Sequence, residues 1–183
     1  RILGVCGGMQ MLGRRIDDPH GVEAGGTHAA LAMLPLSTVM LREKTTLAVR
    51  GMHAATGEPV GGYEIHVGAT SYESQSLPFA EIDDGKAATR RRDGACSADG
   101  RITGTYLHGI FDDDTFRHRY LERLRAARGL GELSDRRFVA RERERSLDEL
   151  ADVVERELDL ASFFSLRNLH GTKEGLKREP QRR

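Results

Sequence analysis

The sequence predicts an α/β fold, a three-layer arrangement in which an open sheet lies between helices, and three observations predict it. Apolar Ile2-Leu3-Gly4-Val5 runs into a glycine-flanked cysteine, Gly4-Val5-Cys6-Gly7-Gly8-Met9-Gln10, and then into an amphipathic stretch; that is the order strand, sharp turn, helix. Ile102-Thr103-Gly104-Thr105-Tyr106-Leu107 reads as a short strand ending on His108-Gly109. Leu147, Leu150, Val154 and Leu158 fall at helical spacing behind Ser146-Leu147-Asp148-Glu149, which has the form of a capping box.

The remaining elements follow along the chain. Met9, Leu12 and Ile16 place a helix after the cysteine, and Asp17-Asp18-Pro19-His20-Gly21 ends it. Residues 22–32 are rich in Gly and Ala and fit a loop or a short helix. Leu34–Met40 and Thr45–Met52 read as two strands, the second followed by a turn at Gly57-Glu58-Pro59. Gly62–Gly68 is a third, with Tyr63, Ile65 and Val67 on one face and Glu64, His66 and Gly68 on the other. Residues 71–100 are polar and turn-rich; Arg90-Arg91-Arg92 is expected on a solvated edge, and Cys96 is expected to be structural. Asp112-Asp113-Asp114 caps a helix carrying Phe116, Tyr120, Leu121 and Leu124. Residues 134–145 are charge-dense, Phe163 and Phe164 follow the last helix, and residues 166–183 form a basic, mobile tail to a domain spanning residues 1–165.

Composition narrows the function. The 183 residues carry 28 basic and 28 acidic side chains, which lacks the cationic excess of a nucleic-acid binder. With no Trp, there is little for base stacking. No apolar run approaches the ~20 residues of a membrane span. Two cysteines suit a reducing, cytoplasmic setting better than a disulfide framework. The chain reaches Cys6 within six residues of its start, whereas an open sheet normally places about three strands before such a turn. It is therefore expected to lack the N-terminal strands of its domain.

A lone cysteine is more often a small buried hydrophobe than a nucleophile. The glycine setting of Cys6 reverses that preference. A strand-to-helix turn exposes the sulfur, and the first helical N–H groups favour its thiolate. Such a thiol needs a base and, later, an acid; one histidine serves both purposes near neutral pH. Of seven histidines, His108 sits at a strand end beside a glycine turn, where α/β proteins gather reactive side chains.

The pattern Gly-x-Cys-x-Gly-x-Gln at residues 4–10 resembles the class I glutamine amidotransferases, whose sheet is of the flavodoxin-like type. The resemblance implies Cys6 as nucleophile toward the side-chain amide of glutamine, the Gly7 N–H as oxyanion donor and Gln10 as a contact to bound glutamine. Gly104-Thr105-Tyr106-Leu107-His108-Gly109-Ile110-Phe111 is similar to the histidine motif of the corrinoid (cobyric/cobyrinic acid) branch of that family, and makes His108 the partner of Cys6. Gly61-Gly62-Tyr63-Glu64-Ile65-His66-Val67-Gly68 is similar to an internal motif of the cobyric-acid-forming members. Ordinary class I members carry a glutamate two residues after the histidine to orient its ring. Here that position is Ile110, and Glu64, Asp112 and a backbone carbonyl remain open for the task.

What the resemblance implies is a glutaminase domain that supplies ammonia for ATP-dependent amidation of corrin side-chain carboxylates. It implies glutamine as substrate and no metal or cofactor in this domain. ATP and Mg²⁺ are expected in a separate synthetase domain, which also meets the corrinoid. A fragment lacking strands and one oxyanion donor is expected to be a poor catalyst by itself. The rivals are a sister amidotransferase acting on cobyrinic acid or a cell-wall precursor, a stand-alone Cys–His γ-glutamyl hydrolase, and a binding module with a relic site.

Overall fold

The computed structural model describes residues 1–83, 90–159 and 162. It is α/β, as expected. In the first unit, residues 1–139, strand β1 (Ile2–Val5) leads into the short helix α1 (Gly7–Leu12). Strands β2 (Arg15–Asp18) and β3 (Gly26–Ala29) follow. Two long strands, β4 (Leu36–His53) and β5 (Pro59–Tyr72), form an antiparallel ribbon. Then come β6 (Ala80–Asp83), β7 (Arg91–Asp93), β8 (Ala95–Cys96), β9 (Ile102–Thr105) and helix α2 (Asp114–Ala126). Helix α3 (Val139–Glu157) lies almost wholly in the second unit, which begins at Ala140. No described helix is long and apolar enough to cross a membrane.

Two sheets position the site. β1 and β9 pair in parallel, Val5 opposite Thr105, so the segments that carry Cys6 and His108 leave neighbouring strands at the same carboxyl edge. β8 borders β9 on its other side. The second sheet runs β3-β2-β4-β6-β7, with β5 paired to β4. Helix α1 can pack against β1 and β9 only because of glycine. A Cβ at Gly4 would lie 2.6 Å from Leu12 Cδ1, and one at Gly104 would lie 2.4 Å from Met9 Cγ. Met9, Leu12, Leu34, Leu36, Ala95 and Tyr106 close one core there. A second core gathers Val49, Val60, Phe79, Ile82, Leu107, Ile110 and Phe116. Asp113 caps α2 by accepting from the Phe116 N–H at 2.7 Å.

Several sequence expectations need correction. The helix after Cys6 ends at Leu12, and Ile16 lies on β2, because residues 15–17 pair with β4 and that pairing outweighs the helical spacing. The open choice at residues 22–32 resolves partly into a strand, β3. The strands expected at 34–40 and 45–52 are one, bent by a register irregularity between Met40 and Thr45. The capping box at Ser146 does not start a helix. α3 begins at Val139 and runs through it, since Arg141–Arg145 alternate good helix formers and Arg145 pairs with Glu149 at 3.4 Å. Phe163, Phe164, the boundary at 165 and the tail lie outside the described residues.

Candidate active site

Cys6 sits at φ 53°, ψ −117° between β1 and α1. A non-glycine residue in that region is strained, and such strain persists only where surrounding contacts fix it. Here the Cys6 N–H donates to Thr105 O at 2.8 Å, and Cys6 O accepts from the Met9 and Gln10 N–H groups at 2.9 and 3.2 Å. The turn therefore lifts the side chain off the sheet. Its thiol meets Ile65 O of β5 at 3.6 Å. Nothing beyond the neighbouring residues lies within 4 Å of where a Cβ would stand on Gly7 or Gly8.

His108 is held by the same strand. It forms an isolated antiparallel bridge with Tyr63: His108 N–H donates to Tyr63 O at 2.8 Å, and Tyr63 N–H donates to His108 O at 3.1 Å. The His108 ring stacks on the Tyr63 ring with centroids 5.2 Å apart. Cys6 and His108 thus dock on β5 at Ile65 and Tyr63, positions about 7 Å apart along a strand. Gly62 makes this approach possible, because a Cβ there would lie 2.0 Å from His108 O. His108 Nε2 is buried without a hydrogen-bond partner. Buried polar atoms are nearly always satisfied, and exceptions concentrate where chemistry is done.

The inward face of β5 is polar. Glu64, 1% exposed, pairs through Oε2 with Arg91 Nη2 at 2.5 Å, while its Oε1 is buried without a partner. His66 Nε2 stands 4.0 Å from Glu64 Oε2. The His66 ring stacks on Tyr106 with centroids 3.7 Å apart, and its Nδ1 meets Gly68 O at 2.8 Å. Burial pushes the His66 pKa down, against the opposing pull of Gly68 O and Glu64. Gln10 is buried beside Gly68, and its amide donates to the Tyr106 hydroxyl at 3.0 Å. That hydroxyl also bonds Thr70 Oγ1 at 2.7 Å, which in turn meets Thr38 Oγ1 at 2.8 Å. Burial raises the Tyr106 pKa, and a negative charge on nearby Cys6 acts in the same direction.

Sequence reasoning singled out Cys6, Gly7, Gln10 and His108; in the structure Cys6–Gly7 and His108 follow the carboxyl ends of the neighbouring strands β1 and β9, with Gln10 inside α1, the Cys6 thiol on Ile65 O and His108 Nε2 unpartnered. It missed Tyr63, Tyr106 and Asp93. It set Arg90-Arg91-Arg92 on a solvated edge, and β7 is indeed the outer strand of its sheet, with Arg91 exposed. What it did not show is that Arg91 pairs with buried Glu64 and that Arg92 donates to Ser76 Oγ while lying 4.2 Å over the Tyr72 ring. The period-two spacing Arg91-x-Asp93 was the available clue to one inward face. Cys96 behaves as expected of a structural thiol: it contacts Pro78 O, and burial raises its pKa to about 11. A cavity of about 530 Å³ opens beside Ile2, Arg101 and Thr103, at the amino ends of β1 and β9 and thus away from Cys6. Among the described residues, no group of three or more His, Cys, Asp and Glu side chains is gathered to hold a metal ion.

A sequence profile described as the CobB/CobQ-like glutamine amidotransferase domain matches residues 1–116, a span that contains Cys6, Gln10, Glu64 and His108. The chain is 46% identical over 167 residues to "Cobyric acid synthase" of Cereibacter sphaeroides, covering 91% of this chain and 32% of that protein. It is 47% identical over 167 residues to the protein of that name from Hyphomonas neptunium, with the same coverage. With that of Brucella canis it shares 45% over 166 residues, 90% of this chain and 32% of the relative. The chain thus spans about a third of the length of these curated relatives.

Proposed function

The chain belongs to the CobB/CobQ-like glutamine amidotransferase family, and on that premise we propose that it is the glutaminase part of a cobyric acid synthase, with Cys6 as nucleophile and His108 as its acid–base partner. The carrying observation is the meeting on β5 of a strained cysteine turn and a histidine whose buried Nε2 has no partner. In the reaction, the Cys6 thiolate attacks the side-chain amide carbon of glutamine. The Gly7 N–H donates to the oxyanion that forms, a contribution of about 3–4 kcal/mol in comparable sites. His108 gives a proton to the amide nitrogen as the C–N bond breaks, and ammonia leaves a γ-glutamyl thioester on Cys6. Water then attacks the thioester carbonyl, His108 takes the water's proton, the C–S bond breaks, and glutamate departs. Gln10, fixed by Tyr106, lines the glutamine site.

The relatives' printed name supports corrin side-chain carboxylates as the acceptors of the ammonia. The ATP- and Mg²⁺-dependent activation of those carboxylates belongs, on this reading, to the two thirds of the relatives' length that this chain does not span. The test uses the protein expressed from its complete gene. Cys6→Ala is expected to abolish glutamine-dependent amidation and to leave ammonia-dependent amidation in place. Loss of both activities together would make Cys6 structural and overturn the assignment.

A further inference from the structure

The position two residues after His108, which holds an orienting carboxylate in ordinary class I members, is the apolar Ile110, 3% exposed in the second core. The ring's Nε2 has no acceptor, and Glu64, bound to Arg91 through Oε2, does not reach it with its unpartnered Oε1. Orientation of His108 must therefore come from somewhere other than a carboxylate on Nε2. A buried carboxylate meets the backbone of the segment that carries His108. Asp93, 1% exposed, accepts the Thr105 hydroxyl at Oδ2 and the Tyr106 N–H at Oδ1, the latter at 3.1 Å. The Thr105 hydroxyl oxygen in turn accepts the Leu107 N–H at 3.0 Å. Three consecutive residues before His108 are thus fixed by one carboxylate. The next residue is fixed by the Tyr63 bridge.

The polarity of this chain of bonds matters. The hydroxyl has one hydrogen, given to Asp93, which leaves its lone pairs for Leu107 N–H. Only an acceptor pair at position 93 satisfies both Thr105 and Tyr106. β7 carries Arg91 as well, two residues away, so the same short strand ties β5 through Glu64 and the exit of β9 through Asp93.

Resting on the glutaminase reading above, we infer that Asp93 is the positioning residue for His108. It acts through Thr105, Tyr106 and Leu107, and with the Tyr63 bridge it does by backbone placement what a ring-bound carboxylate does elsewhere. It touches neither substrate nor sulfur, so its removal misplaces the imidazole without removing it.

The test compares Asp93→Asn, Thr105→Val and Thr105→Ser with wild type and with Cys6→Ala, in protein expressed from the complete gene. Asn offers one acceptor and turns an N–H toward Thr105, while Val removes the hydroxyl at constant volume; Ser keeps it. Asp93→Asn and Thr105→Val are expected to lower kcat for glutamine hydrolysis by about 10- to 100-fold, the cost of misplacing a catalytic group by about an ångström. KM for glutamine and ammonia-dependent amidation should stay within about threefold of wild type, and Thr105→Ser should restore kcat. The profile of Cys6 alkylation by iodoacetamide against time, at one fixed pH, should slow in both defective variants and recover in Thr105→Ser, since a displaced imidazole no longer serves the thiol. If Asp93→Asn gives no folded protein, Thr105→Val and Thr105→Ser carry the same comparison. Unchanged kcat and alkylation profiles would overturn the inference while leaving the Cys6 assignment standing. So would parallel loss of glutamine- and ammonia-dependent activity. Survival of glutamine-dependent activity in Cys6→Ala would instead overturn the glutaminase reading itself.

Discussion

Gly62→Ala puts the geometry of the proposed pair under direct strain. An added Cβ would stand 2.0 Å from His108 O, 3.2 Å from its carbonyl carbon and 3.7 Å from Gly109 C, all backbone atoms that cannot rotate aside. Since real Cβ contacts essentially never fall below 3.0 Å, the His108 carbonyl must retreat by about 1 Å. The retreat opens the two bridge hydrogen bonds to Tyr63, of 2.8 and 3.1 Å, at about 1 kcal/mol each. Alanine returns about 0.5–1 kcal/mol by restricting the unfolded chain. The bridge loss wins, and the net expectation is a destabilisation of about 1–1.5 kcal/mol. The catalytic effect is larger: a misplacement of about 1 Å at a reacting group costs about 10²-fold in rate. Gly61→Ala is the adjacent control, because its Cβ meets nothing closer than Val49 O at 3.7 Å. Glutamate release at saturating glutamine and chemical denaturation would be measured side by side, in protein expressed from the complete gene. Gly62→Ala should lose about two orders of magnitude in kcat, while Gly61→Ala stays near wild type. Equal behaviour of the two variants would mean that the close approach at Gly62 does not hold His108 in place.

Three further outcomes follow from the same contacts. Cys6→Gly should unfold at higher denaturant than wild type, by up to about 1 kcal/mol, because glycine relieves φ 53° while the nucleophile is lost; a less stable Cys6→Gly would show that the turn is not strained. Tyr106→Phe removes the acceptor of the buried Gln10 amide and should destabilise by about 1–3 kcal/mol and raise KM for glutamine; unchanged denaturation and KM would detach Gln10 from substrate binding. Burial raises the Asp93 pKa from 3.8 to about 6, so the folded state holds its proton more tightly than the unfolded state does. Its contribution is full below about pH 4 and is lost as pH rises through 6, in total about 3 kcal/mol. The difference in unfolding free energy between wild type and Asp93→Asn should therefore move against wild type between pH 4 and 7.5. A flat difference would contradict the raised value.

The proposed reactive positions were legible because each rests on a short local pattern. A cysteine among glycines after an apolar run, and a histidine with glycine at a strand end, are turn chemistry written in consecutive residues. The supports were not, because they join residues far apart in the chain. Glu64 finds Arg91 across 27 residues of chain, Asp93 finds Thr105 across 12, and Tyr63 meets His108 from a different strand. The long ribbon also hid itself, since Arg42-Glu43-Lys44 in mid-strand looked like a break between two strands. In α3 the opposite happened. A plausible capping box at Ser146 drew attention from the charged helix formers before it, which extend the helix back to Val139.

On the proposed mechanism, Cys6 is the nucleophile that receives the γ-glutamyl group, with His108 as its partner. The direct test is to incubate the protein with 6-diazo-5-oxo-L-norleucine, a glutamine analogue that alkylates an attacking thiolate, and to locate the adduct by peptide mass spectrometry. The expected result is a single adduct on Cys6, suppressed by excess glutamine and formed much more slowly in His108→Ala. An adduct on Cys96, or labelling of Cys6 that neither glutamine nor the loss of His108 affects, would contradict it.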